Sequence, residues 1–266
     1  MRAPKLLTIA GTDPSGGAGQ SADIKTFSAL GAYATSVVTA VLAQNTCGVR
    51  DILPLPVEMI RAQLDSVFDD ITIDAVKIGM IGDLATARVV RDALERYQPR
   101  FVILDPVMVA KSGDILVDRD GLRAVREVLI PIADVITPNL PEGAVLLDTD
   151  TPESYVEMEA MLPRLAELGA GNVLLKGGHL RDTRADDILW TPQGTHWIGA
   201  ERIATTRLHG SGCTMASAIA ALLPQRDTLL EAVQDAKRYM NEALQQAARL
   251  DVGKGKGPAH HFHAWW

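Results

Sequence analysis

The chain has 266 residues, 47% of them hydrophobic, and no Ser-, Gly- or Pro-rich linker or low-complexity run divides it, so one domain over 1–266 with a large core is expected. The formal charge is −7, with Lys and Arg dispersed rather than gathered into a basic stripe, which argues against a nucleic-acid partner. Cys47 and Cys213 lie outside any CxxC or His/Cys cluster, no apolar run reaches membrane-spanning length, and the N-terminal apolar stretch is too short for a secretory leader. A cytoplasmic protein is expected, with no membrane partner, disulfide scaffold or structural zinc.

Short apolar strands alternate with longer helical patterns. LLTIAG at 6–11 opens the chain, and a helical pattern at 21–32 follows. The apolar run at 35–45 precedes a helix at 56–70, the strand AVKIGM at 75–80 a helix at 84–97, and FVILDP at 101–106 a helix at 120–133. DVITP at 134–138, a helix at 151–170 and NVLLKGG at 172–178 come next. Residues 185–206 hold two β-like pieces around Pro192–Gly194 and read as a hairpin. Helices at 212–223 and 227–250 precede a tail, 253–266, without periodicity, which is expected on the surface with Trp265 and Trp266 able to dock. Most strands do not alternate, as in parallel strands covered on both faces, so the fold class is a three-layer α/β domain: a mostly parallel sheet with helices on both faces and an antiparallel edge.

Polar residues recur just after the strands: Asp13, Asp105, Asn139, Glu142 and Lys176. In open α/β sheets the carboxyl ends of the strands form the ligand crevice. GTDPSGGAG at 11–19 places four glycines between the first strand and first helix; it is either a tight connection or a loop that turns N–H groups towards an anion, and it fits neither the Walker nor the Rossmann fingerprint. Asp23 either is a surface carboxylate in the first turn of the next helix or points into the same pocket. In HGSGCTMASAIAALL, Gly210 and Gly212 free the chain for a sharp turn, and the helix starting near Cys213 can aim unsatisfied N–H groups at a phosphate. At a helix start Cys213 would have a lowered pKa and become a candidate base for an alcohol proton; the alternative is a small buried residue. His209 reads as structural. Lys176 would neutralise phosphate oxygens if it faces the crevice, or snorkel if it does not. Asp105 and Glu142 are either hard-oxygen contacts to Mg²⁺ or helix caps.

LTIAGTDPSGGAGQSADIKTFSALGAY, TAVLAQNTCGV, QLDSVFDD, KIGMIG, LDPVMVAKSGD, LIPIADVITPNLPE, LLKGGH and HGSGCTMASAIAA, in that order, span nearly the whole chain. They resemble the hydroxymethylpyrimidine/phosphomethylpyrimidine kinases of thiamine biosynthesis, within the ribokinase-like superfamily; HGSGCT stands where HGTGCT is the commoner family form. The resemblance implies ATP-dependent phosphorylation of 4-amino-5-hydroxymethyl-2-methylpyrimidine and then of its monophosphate, by a homodimer using Mg²⁺ and in some members a monovalent cation such as K⁺. It assigns the pyrimidine pocket to Gly11, Asp23, Gln44, Met80 and Val107. It gives Cys213 the base position, Gly210, Ser211 and Gly212 the anion hole, Lys176 the ATP phosphates, and Asp105, Asn139 and Glu142 the magnesium with its waters. Pyridoxal kinases are close relatives, so activity on pyridoxine-type rings is the second reading.

Overall fold

The computed structural model describes residues 2–108 and 117–266; the VAKSGD part of the LDPVMVAKSGD string, 109–114, lies outside them. Chain order gives β1 (Lys5–Ala10), α1 (Gly19–Ala29), β2 (Tyr33–Val38), β3 (Ala40–Asn45), β4 (Gly48–Pro54), α2 (Val57–Phe68), β5 (Ala75–Ile78), α3 (Leu84–Tyr97), β6 (Phe101–Leu104) and α4 (Arg119–Arg123). After these come β7 (Val135–Ile136), α5 (Leu140–Leu147), α6 (Tyr155–Ala166), β8 (Val173–Lys176), β9 (Asp187–Thr191), β10 (Gly194–Ile198), α7 (Ser211–Leu222) and α8 (Leu229–Gln245).

Eight strands form one sheet in the order β10-β9-β8-β7-β6-β5-β1-β2, parallel except for β9, which runs antiparallel to both neighbours. Alternation along each strand sorts side chains into two layers. Leu7, Ile9, Val76, Ile78, Val102 and Leu104 enter one core, whereas Leu6, Ala75, Ile103, Leu174 and Leu189 enter the other with α7 and α8. Ala216, Ala218, Ala220 and Ala221 are all fully buried, so α7 is a helix of small side chains lying close against the sheet.

Four elements meet at one buried ion pair in that second layer. Thr8 on β1 lies opposite Lys77 on β5 in the strand register. Lys77 Nζ donates to Asp23 Oδ2 of α1 at 2.9 Å, Thr8 Oγ1 donates to the same oxygen at 2.6 Å, and Ser217 Oγ of α7 donates to Oδ1 at 2.7 Å. Neither charged side chain is exposed at all. Burial alone would strip the Lys77 proton, but Asp23, Cys213 and Asp105 outweigh it and hold the ammonium above its ordinary range.

Several elements differ from the sequence reading. The run at 35–45 breaks at Thr39: β2 stays on the sheet edge, while β3 leaves to pair with β4 in a separate antiparallel hairpin. The helix expected at 120–133 is α4 followed by a wide turn over Ala124–Leu129 and a tight one over Ile130–Ile132, where Pro131 lacks the N–H a helix needs. Helix α6 starts at Tyr155 under a Ser154 cap, and α5 was not anticipated. In the tail His260 and His261 are buried, while Trp265 and Trp266 remain largely exposed but dock at their edges, Trp265 Nε1 donating to Ala29 O at 3.4 Å and the Trp266 ring lying 4.7 Å from that of His260.

Because removing one member of a buried pair strands the other charge, Lys77→Met should lose about 3–5 kcal/mol of stability in urea unfolding. The double variant Asp23→Asn/Lys77→Met should recover most of that loss. A Lys77→Met protein as stable as the parent would contradict this account of the layer.

Candidate active site

A cavity of about 730 Å³ opens at the carboxyl ends of β1, β5, β6 and β8. One wall begins with the loop after β1, which Asp13 organises. Its Oδ1 accepts from Ser15 N and Oγ at 2.9 and 2.7 Å, and its Oδ2 accepts from Gly17 N and Ala18 N at 3.2 and 2.8 Å. His209 Nε2 lies 2.7 Å from the same Oδ2, which bears out a structural His209. Burial would raise this carboxyl, yet the bonds from His209 and Ser15 outweigh it and hold Asp13 below the usual range. The next residue, Gly210, has φ +73°, and a Cβ there would fall on the Gly17 carbonyl oxygen, so no other residue lets the two loops close so tightly.

Gly210 caps α7 without a side chain. The N–H groups of Gly212 and Cys213 are therefore among those that a helix start leaves without an intrahelical acceptor, and both residues line the cavity with Ser211. Facing them is a charged pair: Lys176 Nζ lies 3.1 Å from Asp105 Oδ1, which also accepts from Thr137 Oγ1 at 3.1 Å. A Cβ on Gly212 would sit 3.5 Å from Asp105 Oδ2 and 3.6 Å from Lys176 Nζ, ordinary contact distances that place the turn directly against the pair. Burial is overcome on each side: Lys176 and Lys77 hold Asp105 below the carboxylate range, and Asp105 with Glu142 holds Lys176 above the amine range.

Asn139 and Glu142 reach the cavity wall as a capping box on α5, with Asn139 N donating to Glu142 Oε2 at 2.8 Å and Glu142 N to Asn139 Oδ1 at 2.9 Å. Both therefore do cap a helix. Among the described residues no group of three or more His, Cys, Asp or Glu side chains is arranged to hold a metal ion. Asp105 Oδ2, however, is buried without a hydrogen-bond partner, and a lone hard oxygen beside the start of α7 fits a Mg²⁺ that keeps most of its waters.

The opposite wall is apolar. Gly11 lacks a Cβ that would sit 2.9 Å from Leu42 Cδ1 and 3.1 Å from Met80 Cε, and with Ala40 and Val107 these residues form a slot. Gln44 lines the cavity at an irregularity in the β3–β4 register between Ala43 and Gln44, a bulge of the kind that re-aims side chains. Gly11, Gln44, Met80 and Val107 are thus brought together. Asp23 is not: it lies fully buried beneath the cavity floor, where Lys77 takes its charge and itself lines the cavity.

The lowered Cys213 pKa is also corrected. Burial pushes the thiol up to about 12, opposed by Lys77 but reinforced by Asp23 and Asp105. The helix start does not offset the loss of water around the sulfur. Cavity residues that sequence reading missed include Lys77, Arg202 and Lys237. Arg202 is pinned by the carbonyls of Gly178, Leu180, Asp182 and Arg184, and Lys237 Nζ lies 2.7 Å from Asp187 Oδ2. A lysine inside the apolar AVKIGM run was the available signal for Lys77; Arg202 and Lys237 lie in segments with no motif.

A sheet of this order, with a glycine-flanked helix start and a Lys–Asp pair at its strand ends beside an apolar slot, defines a ribokinase-like small-molecule kinase. The Bacillus subtilis pyridoxal kinase, solved as an ADP complex, superposes with a TM-score of 0.91 at 32% identity over 99% of both chains. Phosphomethylpyrimidine kinase from Clostridium difficile gives 0.80 at 38% identity, over 90% of this chain and 99% of that one. Hydroxymethylpyrimidine/phosphomethylpyrimidine kinase of Salmonella typhimurium is 49% identical over the full length of both chains. The profile of the phosphomethylpyrimidine kinase family matches residues 13–260, and the chain belongs to that family.

The raised thiol pKa has a direct readout. In a Cys47→Ser protein, which keeps Cys213 alone, the iodoacetamide rate should climb about tenfold per pH unit from 7 to 10 without levelling, because only the thiolate reacts. A plateau below pH 8 would show a helix-start thiolate instead.

Proposed function

We propose that this chain moves the γ-phosphoryl group of ATP onto the hydroxymethyl oxygen of 4-amino-5-hydroxymethyl-2-methylpyrimidine, and then phosphorylates the monophosphate to the diphosphate, in thiamine biosynthesis. The observation that carries the reading is that one cavity joins an apolar, Gln44-edged slot to a phosphate-side turn, so a flat ring and a triphosphate can meet end to end. The family match across 13–260 supports one kinase domain over 1–266.

In this reading Met80 and Val107 pack on the ring, and the bare Gly11 leaves room for it. The Gln44 amide, donor and acceptor at once, pairs with a ring nitrogen and the adjacent exocyclic amine. The ammonium of Lys176 and the N–H groups of Gly212 and Cys213 stabilise charge on the transferring phosphoryl oxygens, with Gly210 and Ser211 shaping the turn. Magnesium, when bound with the nucleotide, would neutralise phosphate oxygens there. Asp105 would hold it, while Glu142 and Asn139, committed to the cap, would reach only its waters.

Cys213 accepts the proton of the hydroxymethyl group. With the thiol near 12 almost none of it is thiolate at neutral pH, so the electrostatics of the site by itself weigh against this role, and the separate rates of the two phosphorylations in Cys213→Ala decide it. The monophosphate needs no such base, since its nucleophile is a phosphate oxygen with a second pKa of about 6.

The chain works as a homodimer in the cytoplasm. Exposed Val41 and Leu53, paired across the outer face of the hairpin, suit a subunit contact, and two free cysteines, one of them exposed, suit a reducing compartment.

ADP formation with the pyrimidine alcohol, compared with pyridoxal and measured with and without MgCl₂ and KCl, tests the assignment; preference for pyridoxal would shift it to the second kinase activity. Gln44→Ala should weaken calorimetric pyrimidine binding by about 1–3 kcal/mol, the scale of an unsatisfied buried polar group, and leave ATP binding unchanged. Unaltered pyrimidine affinity would remove Gln44 from the ring site.

A further inference from the structure

The hairpin that carries Gln44 is a two-stranded unit apart from the main sheet, and such a pair is marginal unless something anchors it. At its base Thr12 does so, with Thr12 N donating to Ala40 O and Leu42 N to Thr12 Oγ1, each at 3.0 Å. At its tip the anchor is the segment after α8. Gly255 N donates to Thr46 Oγ1 at 3.1 Å and Lys256 N to Thr46 O at 2.9 Å. Glycine is required on this segment by contact: a Cβ on Gly253, at φ +76°, would strike the Thr46 side chain, and one on Gly255 would fall on the Thr46 carbonyl oxygen.

The same segment then reaches the phosphate-side turn. Gly257 O accepts from His209 N at 3.1 Å, and Pro258 runs alongside His209 and fills the space over the bare Cα of Gly17. Further on, His261 Nε2 lies 3.1 Å from Thr214 Oγ1 in the first turns of α7, and Tyr239 of α8 donates to the His261 carbonyl at 2.7 Å. One stretch of backbone thus touches the hairpin tip, the catalytic turn and both helices beneath it.

We propose that residues 253–261 form a strap that positions the pyrimidine: by docking on Thr46 it sets the height of the β3–β4 hairpin, and with it Leu42 and Gln44, above the Cys213 turn. Thr46 and Gly255 are its positioning residues. They act through the hairpin rather than by touching the ring, and the inference rests on the ring-side reading of the hairpin given above. An ångström of play in such an element is enough to misplace a substrate against the transferring group.

Two variants test it. Gly255→Ala forces the strap away from the Thr46 carbonyl, and Thr46→Val removes the hydroxyl acceptor while keeping the side-chain shape, so one of the pair remains informative if the other folds poorly. In steady-state kinetics the KM for the pyrimidine alcohol should rise about tenfold while the KM for ATP stays within about twofold, and amide exchange over 44–49 should quicken. A general loss of structure would move both KM values together, and that result overturns the proposal, as does an unchanged pyrimidine KM. Comparison with Gln44→Ala separates the two readings. If Gln44→Ala is silent and the strap variants raise the pyrimidine KM, the role of Gln44 fails and the strap stands through Leu42. If only Gln44→Ala raises it, the strap is overturned and the ring reading stands.

Discussion

Asp23 and Lys77 meet at 2.9 Å with both side chains wholly buried, and the layout of the site follows from that contact. Two charges taken out of water are tolerable only with good geometry and further hydrogen bonds, which Thr8 and Ser217 supply. Those four side chains come from β1, α1, β5 and α7, so the pair sets how α7 sits on the sheet. The small residues of α7 permit the close approach; the ion pair chooses its place. Lys77 also forms part of the cavity floor, which leaves a fixed positive charge under the reaction centre.

The remaining electrostatics build on that floor. Asp105 stays ionised in a buried position because Lys176 and Lys77 flank it, and its second oxygen is buried without a hydrogen-bond partner. Cys213 experiences the same cation but also Asp23 and Asp105, and loss of water decides the balance in favour of the thiol. On the proposed function, anion stabilisation falls to backbone N–H groups and Lys176, whose ammonium Asp105 and Glu142 hold above its ordinary range, and the sulfur acts only where a proton must be removed. On the other wall a bare glycine, a methionine and a bulged strand make a slot fitted to a flat ring. On the proposed function one cavity takes an alcohol and later its phosphate, since the apolar slot lies apart from the α7 start.

Much of this was legible in the sequence. Non-alternating apolar runs gave the buried parallel strands, and polar residues at their ends marked the crevice that Asp13, Asp105 and Lys176 now line. The β3–β4 hairpin was not separated from β2, because the apolar pattern continues through Thr39 and only the pairing partner changes. Helix α5 is short and carries a proline in its first turn, so its strongest sign in the sequence is the Asn139–Glu142 spacing, and a glutamate there reads equally as a metal contact or a cap. The helix-start argument for Cys213 counted the dipole but had no access to burial or to the carboxylates beside it. Asp23 came to the pocket by resemblance, yet three-dimensional packing sends it one layer down, with Lys77 in its place. The buried histidines of the tail bind through backbone and ring contacts that no periodicity announces.

The division of labour at the α7 start is the central claim, and it is tested by following the two phosphorylations separately in Cys213→Ala by rapid quench. Loss of the sulfur leaves the turn, its N–H groups and Lys176 in place. The account predicts that alcohol phosphorylation falls about 10²- to 10⁴-fold, the range of a positioned general base, while phosphorylation of the monophosphate falls far less. Equal losses in both steps, or no loss in either, would contradict it.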